Sequence, residues 1–169
     1  KQVPGLGLGR DPERTPMQWD ARPNAGFSTV EPWLPVAPDY KVVNVKAQRA
    51  DPTSMLSLYR RLIWTRKASP ALHSGRYRAV DNVPQGCFAY LREHAGQRML
   101  VALNFSDDEH RLSLPDLGAG QLLISTHLDC EGTIDLAALH LRGHEGCLVE
   151  LSEKRRKRTH FESGGSAKC

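Results

Sequence analysis

The spacing of hydrophobic positions divides the chain into three stretches. Residues 1–50 show no regular spacing and are interrupted repeatedly by proline and glycine. Residues 52–67 carry apolar side chains at helical intervals, and from residue 75 to residue 151 short apolar runs alternate with turn residues. These patterns predict a long loop, one amphipathic helix and a series of β-strands.

The central stretch carries the signals of a single helix. Asp51 is a favourable N-cap, and Pro52 suits the first helical position. Arg66 complements the helix dipole near the C-terminal end, and Pro70 follows shortly afterwards. These signals predict a helix over residues 52–67, with an apolar face formed by Met55, Leu58, Tyr59, Leu62 and Ile63.

Short strands with turn residues between them are typical of an antiparallel sandwich or barrel. The continuous apolar run Met99–Leu103 predicts a central strand that is buried on both faces. Including that run, we predict seven strands, over residues 76–80, 87–93, 98–105, 110–114, 121–126, 137–142 and 146–151.

The first fifty residues are too apolar for a disordered linker, although their prolines disfavour regular helix. The large apolar side chains here include Met17, Trp19, Phe27, Trp33 and Tyr40. We therefore expect a long ordered loop that packs against another part of the protein, and long ordered loops are often functional.

The net charge of +4 arises entirely from the end of the chain. Residues 1–151 carry equal numbers of acidic and basic side chains, whereas 152–169 contains the basic run Lys154–Arg158. The body therefore gives no electrostatic indication of a nucleic-acid surface. We expect a disordered tail, for which binding to an anionic surface and simple solvation both remain open.

The cysteine and histidine spacings do not indicate a metal site. Cys87, Cys130, Cys147 and Cys169 form no CxxC pair, and no HxxxH or HExxH pattern occurs. The glycine-rich run Gly5–Arg10 lacks the Gly-Lys-Ser/Thr ending of a phosphate-binding loop. We expect no metal and no cofactor.

The start of the chain shows no export signal, and no apolar run approaches the roughly 20 residues that cross a bilayer. The chain opens at Lys1 without methionine. We therefore expect part of a longer, cytoplasmic polypeptide with reduced thiols.

Three motifs in the loop carry a family resemblance. They are RTPMQWD over Arg14–Asp20, AGFS over Ala25–Ser28 and PWLP over Pro32–Pro35. In this order they resemble the oligo-1,6-glucosidase and alpha-glucosidase branch of the alpha-amylase family (glycoside hydrolase family 13). The resemblance is strong to about residue 77 and architectural beyond it.

The resemblance implies a mixed fold. Residues 1–73 would form the terminal loop and helix of a (β/α)8 barrel, and 74–151 an antiparallel C-terminal β-domain, followed by the tail 152–169. A full barrel needs about 250 residues, so most of it would lie outside this chain. The missing N-terminal barrel portion is therefore an expected partner.

The resemblance also implies the reaction of a retaining alpha-glucosidase, which hydrolyses alpha-glucosidic bonds in oligosaccharides with two carboxylates. In the family these carboxylates lie upstream of RTPMQWD, so no catalytic residue is expected in this chain and the chain alone should be inactive. The arginine of that motif, Arg14, is the expected substrate-binding residue, because its guanidinium can hold sugar hydroxyls.

Other interpretations remain open. Arg14 could instead form a structural salt bridge with Asp11 or Asp20, and Trp19, Phe27 and Trp33 are expected to be buried against the barrel. The parent enzyme could be a related trehalose synthase or sucrose-converting glucosyltransferase. Alternatively, the β-domain could be a non-catalytic carbohydrate-binding module, whose available aromatic side chains are Tyr77, Phe88, Tyr90 and Phe105.

Overall fold

The computed structural model describes residues 14–152. The glycine-rich run Gly5–Arg10, the acidic neighbours Asp11 and Glu13, and the predicted tail from residue 153 onward lie outside the described residues. The described helices are α1 (Val45–Ala50), α2 (Met55–Ala68) and α3 (Pro70–Ser74). The described strands are β1 (Arg76–Ala79), β2 (Cys87–His94), β3 (Gln97–Asn104), β4 (His110–Leu112), β5 (Ala119–Ser125), β6 (Gly132–Asp135), β7 (Leu139–Leu141) and β8 (Gly146–Leu151).

Helix α2 is the predicted helix, but its N-cap was assigned to the wrong residue. The hydroxyl of Ser54 accepts from the Ser57 amide and caps the helix. Asp51 instead accepts from the amide of Thr53 at 2.8 Å, as Asp does in a turn. The pair Asp51-Pro52 is typical of a helix start. Here it forms a turn instead, and the helix is capped three residues later, at Ser54.

The two shorter helices begin at capping side chains that the hydrophobic pattern does not reveal. Asn44 accepts from the Ala47 amide at the start of α1, and Ser69 accepts from the Leu72 amide at the start of α3. Each cap satisfies an amide that would otherwise lack an intrahelical partner. None of the helices within residues 14–152 is long and apolar enough to span a bilayer.

The β region is antiparallel, as predicted. Six strands form one sheet in the order β1-β2-β3-β8-β5-β6, and β4 pairs with β7 in a second, two-stranded sheet. Strand β3 lies near the centre of the large sheet, and Leu100 and Ala102 are fully buried within it. The central position of the strand is therefore confirmed, but its other face is less buried than predicted, since Val101 and Leu103 there are only half-buried.

The structure adds one strand to the seven predicted and shortens two, since the strand predicted over 110–114 ends at Leu112. Strand β6 contains a single large apolar residue, Ile134, which is too weak a pattern to indicate a strand. The stretch predicted as strand 137–142 begins with a 3-10 turn over Leu136–Ala138, in which Asp135 caps the Ala137 amide. Only Leu139–Leu141 is extended there.

The main core lies between the two sheets. Leu91, Leu100 and Val149 of the large sheet pack with Leu112 and Leu141 of the small one. All five side chains are at most 1% exposed, which makes this core the main source of hydrophobic stabilisation in the described chain.

Helix α2 packs on the opposite face of the large sheet. Leu58 joins a second cluster with Ile124 and Leu148, and Arg61 donates to the carbonyl of Leu123 at 3.0 Å. A half-buried series of side-chain hydrogen bonds adds to the contact, since Ser69 donates to Gln97 at 2.8 Å and Gln97 donates to Glu150 at 2.9 Å. The helix and the β region are therefore connected by both apolar and polar contacts.

The predicted apolar face of α2 is mostly turned away from the sheet. Only Leu58 of that face is buried, at 8% exposure. The exposed large apolar side chains of this helix are Met55, Tyr59, Leu62, Ile63 and Trp64. An amphipathic helix normally buries its apolar face, so this exposed face is suited to packing against another part of a protein.

Replacing Leu100 with alanine tests the position of the core. Because Leu100 is fully buried between the sheets, we expect Leu100→Ala to lower the free energy of unfolding by about 2–5 kcal/mol. Phe105→Ala is the matched control, since Phe105 is 66% exposed and its loss should change stability by less than about 0.5 kcal/mol. Urea titration measures both, and equal losses would show that the core lies elsewhere.

Candidate functional site

The loop that carries the three motifs reverses direction at Asn24–Gly26. All three residues have positive φ, at 54° for Asn24, 57° for Ala25 and 66° for Gly26. Asn and Gly tolerate this conformation, whereas Ala adopts it at a cost of roughly 1–2 kcal/mol. Ala25 is nevertheless fully buried, and its carbonyl accepts from the amides of Trp19 at 2.9 Å and Asp20 at 3.1 Å. These contacts hold the reversal in place.

Gly26 is required by the close approach of Asp20. A Cβ atom on Gly26 would lie 2.6 Å from the Asp20 carboxylate. That carboxylate is fixed by Arg22, which forms an ion pair with it at 2.8 Å and donates to it from both its backbone and its side chain. The hydrogen bonds from Arg22 lower the pKa of Asp20 below its ordinary value. The glycine of AGFS therefore packs on the aspartate of RTPMQWD.

Gln18 joins the start of the loop to its end. Its side-chain amide donates to the carboxylate of Asp39 and to the carbonyl of Val43, both at 2.9 Å. Its own carbonyl accepts from the amide of Val45 at the start of α1. Hydrogen bonds of the RTPMQWD segment therefore connect it to the start of α1 and, through α1, to the other helices.

The reversal brings the first and third motifs together. Asn24 donates to the carbonyls of Ser28 at 3.3 Å and Val30 at 3.0 Å, which stabilises the returning segment. At the end of that segment the ring of Trp33 lies beneath the guanidinium of Arg14, with 5.7 Å between Cζ and the ring centroid. This separation is within the range of a cation–π contact.

The loop aromatics are not buried in this structure, contrary to the expectation for a loop that packs on a barrel. Trp19 is 47% exposed, Phe27 50% and Trp33 79%. Their packing partners would have to come from outside residues 14–152. Of the two salt bridges considered for Arg14, Asp20 pairs instead with Arg22, and Asp11 lies outside the described residues.

A second polar cluster, centred on Arg142, lies at one end of the β region. Arg142 donates to Asp129 at 2.6 and 2.9 Å and to Glu145 at 2.6 and 3.0 Å. Glu145 is only 4% exposed and also accepts from the hydroxyl of the fully buried Ser125. The hydroxyl of Ser125 is thus engaged with a carboxylate, in a structural network.

The hydrophobic pattern does not indicate this cluster. Its members lie on two segments of the chain, Ser125 and Asp129 on one and Arg142 and Glu145 on the other, so no local spacing joins all four. Burial raises the pKa of Glu145, but hydrogen bonds from Arg142 and Ser125 outweigh that effect and lower it to about 2. Hydrogen bonds from Arg142 also lower the pKa of Asp129.

The same cluster includes a set of potential metal ligands. Oxygen or sulfur atoms of Asp129, Cys130 and Glu145 lie within 4.8 Å of one another. The guanidinium of Arg142 already bonds both carboxylates, so a cation would have to displace it. The donor set therefore fits a charge-balanced structural network better than a metal centre.

The thiols of Cys87, Cys130 and Cys147 are free. Burial raises the pKa of Cys147 to about 12, which makes it chemically inert at neutral pH.

Known proteins are similar in sequence to the motif loop and to the β region. Residues 1–75 match the family model described as alpha amylase, catalytic domain. The oligo-1,6-glucosidase of Parageobacillus thermoglucosidasius is 38% identical over 146 residues, which cover 85% of this chain and 26% of the relative. This chain is homologous to alpha-amylase-family glucosidases. The resemblance carried by the three loop motifs is thereby confirmed.

Other alpha-amylase-family relatives match over the same extent. The trehalose-6-phosphate hydrolase of Bacillus subtilis is 40% identical over 149 residues, 85% of this chain and 26% of the relative. The crystal structure of a trehalulose synthase from Pseudomonas mesoacidophila MX-45 superimposes with a TM-score of 0.75 at 36% identity, covering 85% of this chain and 26% of that one. The chain thus spans about a quarter of the length of these relatives.

The ion pair of Glu145 should make stability depend on pH. The folded pKa of about 2 is below the ordinary value of 4.5, so the stabilisation is complete above pH 4.5 and is lost as the pH falls towards 2. We expect Glu145→Gln to lower the free energy of unfolding at pH 7 by about 1–3 kcal/mol, with a smaller difference at pH 3.

The control is Glu109→Gln, because the Glu109 side chain is 69% exposed beside His140. Denaturant titrations of both variants at pH 7 and pH 3 provide the measurement. Equal effects of the two substitutions, or a Glu145→Gln difference that grows at low pH, would contradict the account.

Proposed function

We propose that this chain supplies one wall of the glucose-binding pocket of an alpha-glucosidase that hydrolyses alpha-glucosidic bonds in oligosaccharides. The observation that carries the proposal is the folded RTPMQWD loop, which presents Arg14 at its surface beside Trp33. Identity of 38% to an oligo-1,6-glucosidase over 85% of the chain supports the same reaction class. Arg14 would bind sugar hydroxyls through its planar set of N–H donors.

The division of labour within the complete enzyme follows from this proposal. Residues 1–73 would form the last loop and helix of a (β/α)8 barrel, and residues 74–151 a C-terminal β-domain that stabilises it. The nucleophile and the general acid/base would come from the barrel portion, since retaining glycosidases need both carboxylates. This chain alone would then have no hydrolase activity.

The outward apolar face of α2 supports a barrel partner. Met55 is 61% exposed, Ile63 49% and Trp64 64%. Burying one such side chain contributes roughly 1.5–3 kcal/mol, so covering several would offset a substantial part of the cost of association. The exposed ring of Phe27 in the loop would contribute to the same contact.

A related reaction on sucrose or trehalose is the first alternative. The superimposed structure is that of a trehalulose synthase, and one mutant of that enzyme was crystallised with the substrate sucrose. The loop geometry is compatible with either reaction, because both place a glucosyl unit beside the same wall. Product analysis of the complete enzyme, with isomaltose and with sucrose, separates them.

Complementation tests the main proposal. The barrel portion of the Parageobacillus thermoglucosidasius oligo-1,6-glucosidase, lacking the segment equivalent to this chain, is co-expressed with the chain. We expect hydrolysis of an aryl alpha-glucoside only when both parts are present. Arg14→Ala should lower kcat/KM of the assembled enzyme by about 10- to 150-fold, the loss for a charged hydrogen-bonding group worth about 1.5–3 kcal/mol.

Arg111→Ala is the matched control, because Arg111 is an exposed arginine on β4, far along the chain from the loop. It should complement as well as the wild-type chain. Failure of the wild-type chain to restore activity, or full activity of Arg14→Ala, would overturn the proposal.

Carbohydrate binding by the β region is a second candidate function, favoured by a row of aromatic rings. Tyr90 lies between Tyr77 and Phe88, with ring centroids 5.4 and 5.6 Å away. Tyr77 and Phe88 are 49% and 42% exposed, and a cavity of about 270 Å³ adjoins Tyr90. Rings with exposed faces can stack on sugars.

Retardation of the chain in gels containing dextran tests this second function. If the aromatic row binds glucan, Phe88→Ala should abolish the retardation. The control Phe105→Ala removes an exposed ring outside the row and should leave the retardation unchanged. A wild-type chain that migrates identically with and without dextran would exclude this function.

A further inference from the structure

We propose that Trp33 is a positioning residue that sets the orientation of the Arg14 guanidinium in the glucose-binding wall. The inference deepens the proposed function and rests on it. The two side chains are 19 positions apart in sequence but only 5.7 Å apart, measured from Arg14 Cζ to the Trp33 ring centroid.

The cation–π contact places the Arg14 guanidinium over the ring of Trp33. A guanidinium that lies over an aromatic ring uses its face for the contact, whereas its N–H donors point outward in its own plane. Those donors are the groups that would bind sugar hydroxyls. A ring in this position can therefore restrict the orientation of the guanidinium.

The chain holds Trp33 in a defined backbone frame. Pro32 precedes it and Pro35 follows Leu34, so the backbone of the PWLP motif has few accessible conformations. Leu34 is buried at 7% exposure and anchors the segment, while the neighbouring Trp33 is 79% exposed. The Asn24 side chain ties the returning segment at Val30. Because this backbone segment is anchored, the Trp33 ring is held close to Arg14.

The structure offers an internal comparison for this contact. Lys67 lies 5.1 Å from the Trp64 ring centroid on α2, outside the motif loop. That pair joins neighbouring positions on one helix, whereas the Arg14–Trp33 pair closes a long loop. Trp64 is therefore a suitable control for the general effects of removing an exposed tryptophan.

The first experiment tests the contact in this chain alone. The ring current of Trp33 should displace the Nε–Hε proton resonance of Arg14. We expect Trp33→Ala to move that resonance towards its unstructured position, and Trp64→Ala to leave it in place. An Arg14 resonance that does not respond to Trp33→Ala would overturn the inference.

The second experiment is a double-mutant cycle in the complemented enzyme. We expect Trp33→Ala to lower kcat/KM by about 3- to 30-fold, in line with the strength of such contacts. Trp33→Phe should restore most of the loss because it keeps a ring. In the Arg14→Ala background, Trp33→Ala should have no further effect.

The outcomes separate the inference from the function on which it rests. A wild-type chain that restores no activity overturns the proposed function, and the inference with it. Equal losses from Trp33→Ala in the wild-type and Arg14→Ala backgrounds overturn the inference alone, because Trp33 would then act independently of Arg14. A Trp33→Phe variant as impaired as Trp33→Ala also contradicts a role based on ring stacking.

Discussion

The left-handed reversal at Asn24–Gly26 is the constraint on which the candidate site depends. Three consecutive residues take positive φ, and the buried carbonyl of Ala25 receives two amides from the RTPMQWD strip. The strain of an alanine in this conformation is offset by those hydrogen bonds and by burial. Without the reversal, Arg14 and Trp33 would not meet, so the position of Arg14, the side chain proposed to bind substrate, is set by backbone geometry ten residues away.

The β region provides the stable base for this loop. A fully buried core between two antiparallel sheets and a charge-balanced cluster around Arg142 hold that region together. Helix α2 connects the two parts, since it packs on the large sheet through Leu58 and leaves its other apolar face exposed. The β region therefore has a buried core of its own, whereas the outward face of α2 is suited to packing against a barrel portion.

Much of the fold could be predicted from the sequence, because hydrophobic periodicity reports burial directly. The apolar run around Leu100 identified the central strand, whereas β6 escaped detection because it contains one large apolar residue. The helix start was misplaced because Asp51 and Ser54 are both good caps, and in the structure Ser54 caps the helix while Asp51 accepts from the Thr53 amide in a turn. The loop motifs indicated Arg14 as a candidate, but its contact with Trp33 depends on three left-handed residues that no local pattern reveals.

The central claim is that a barrel portion covers the loop and the outward face of α2. Hydrogen exchange of this chain, measured with and without the barrel portion of an alpha-amylase-family relative, tests that claim most directly. The account predicts slower exchange in residues 14–44 and 55–68 when the barrel portion is present, with little change in β3 and β8. Unchanged exchange in both of those segments at saturating barrel concentration would contradict it.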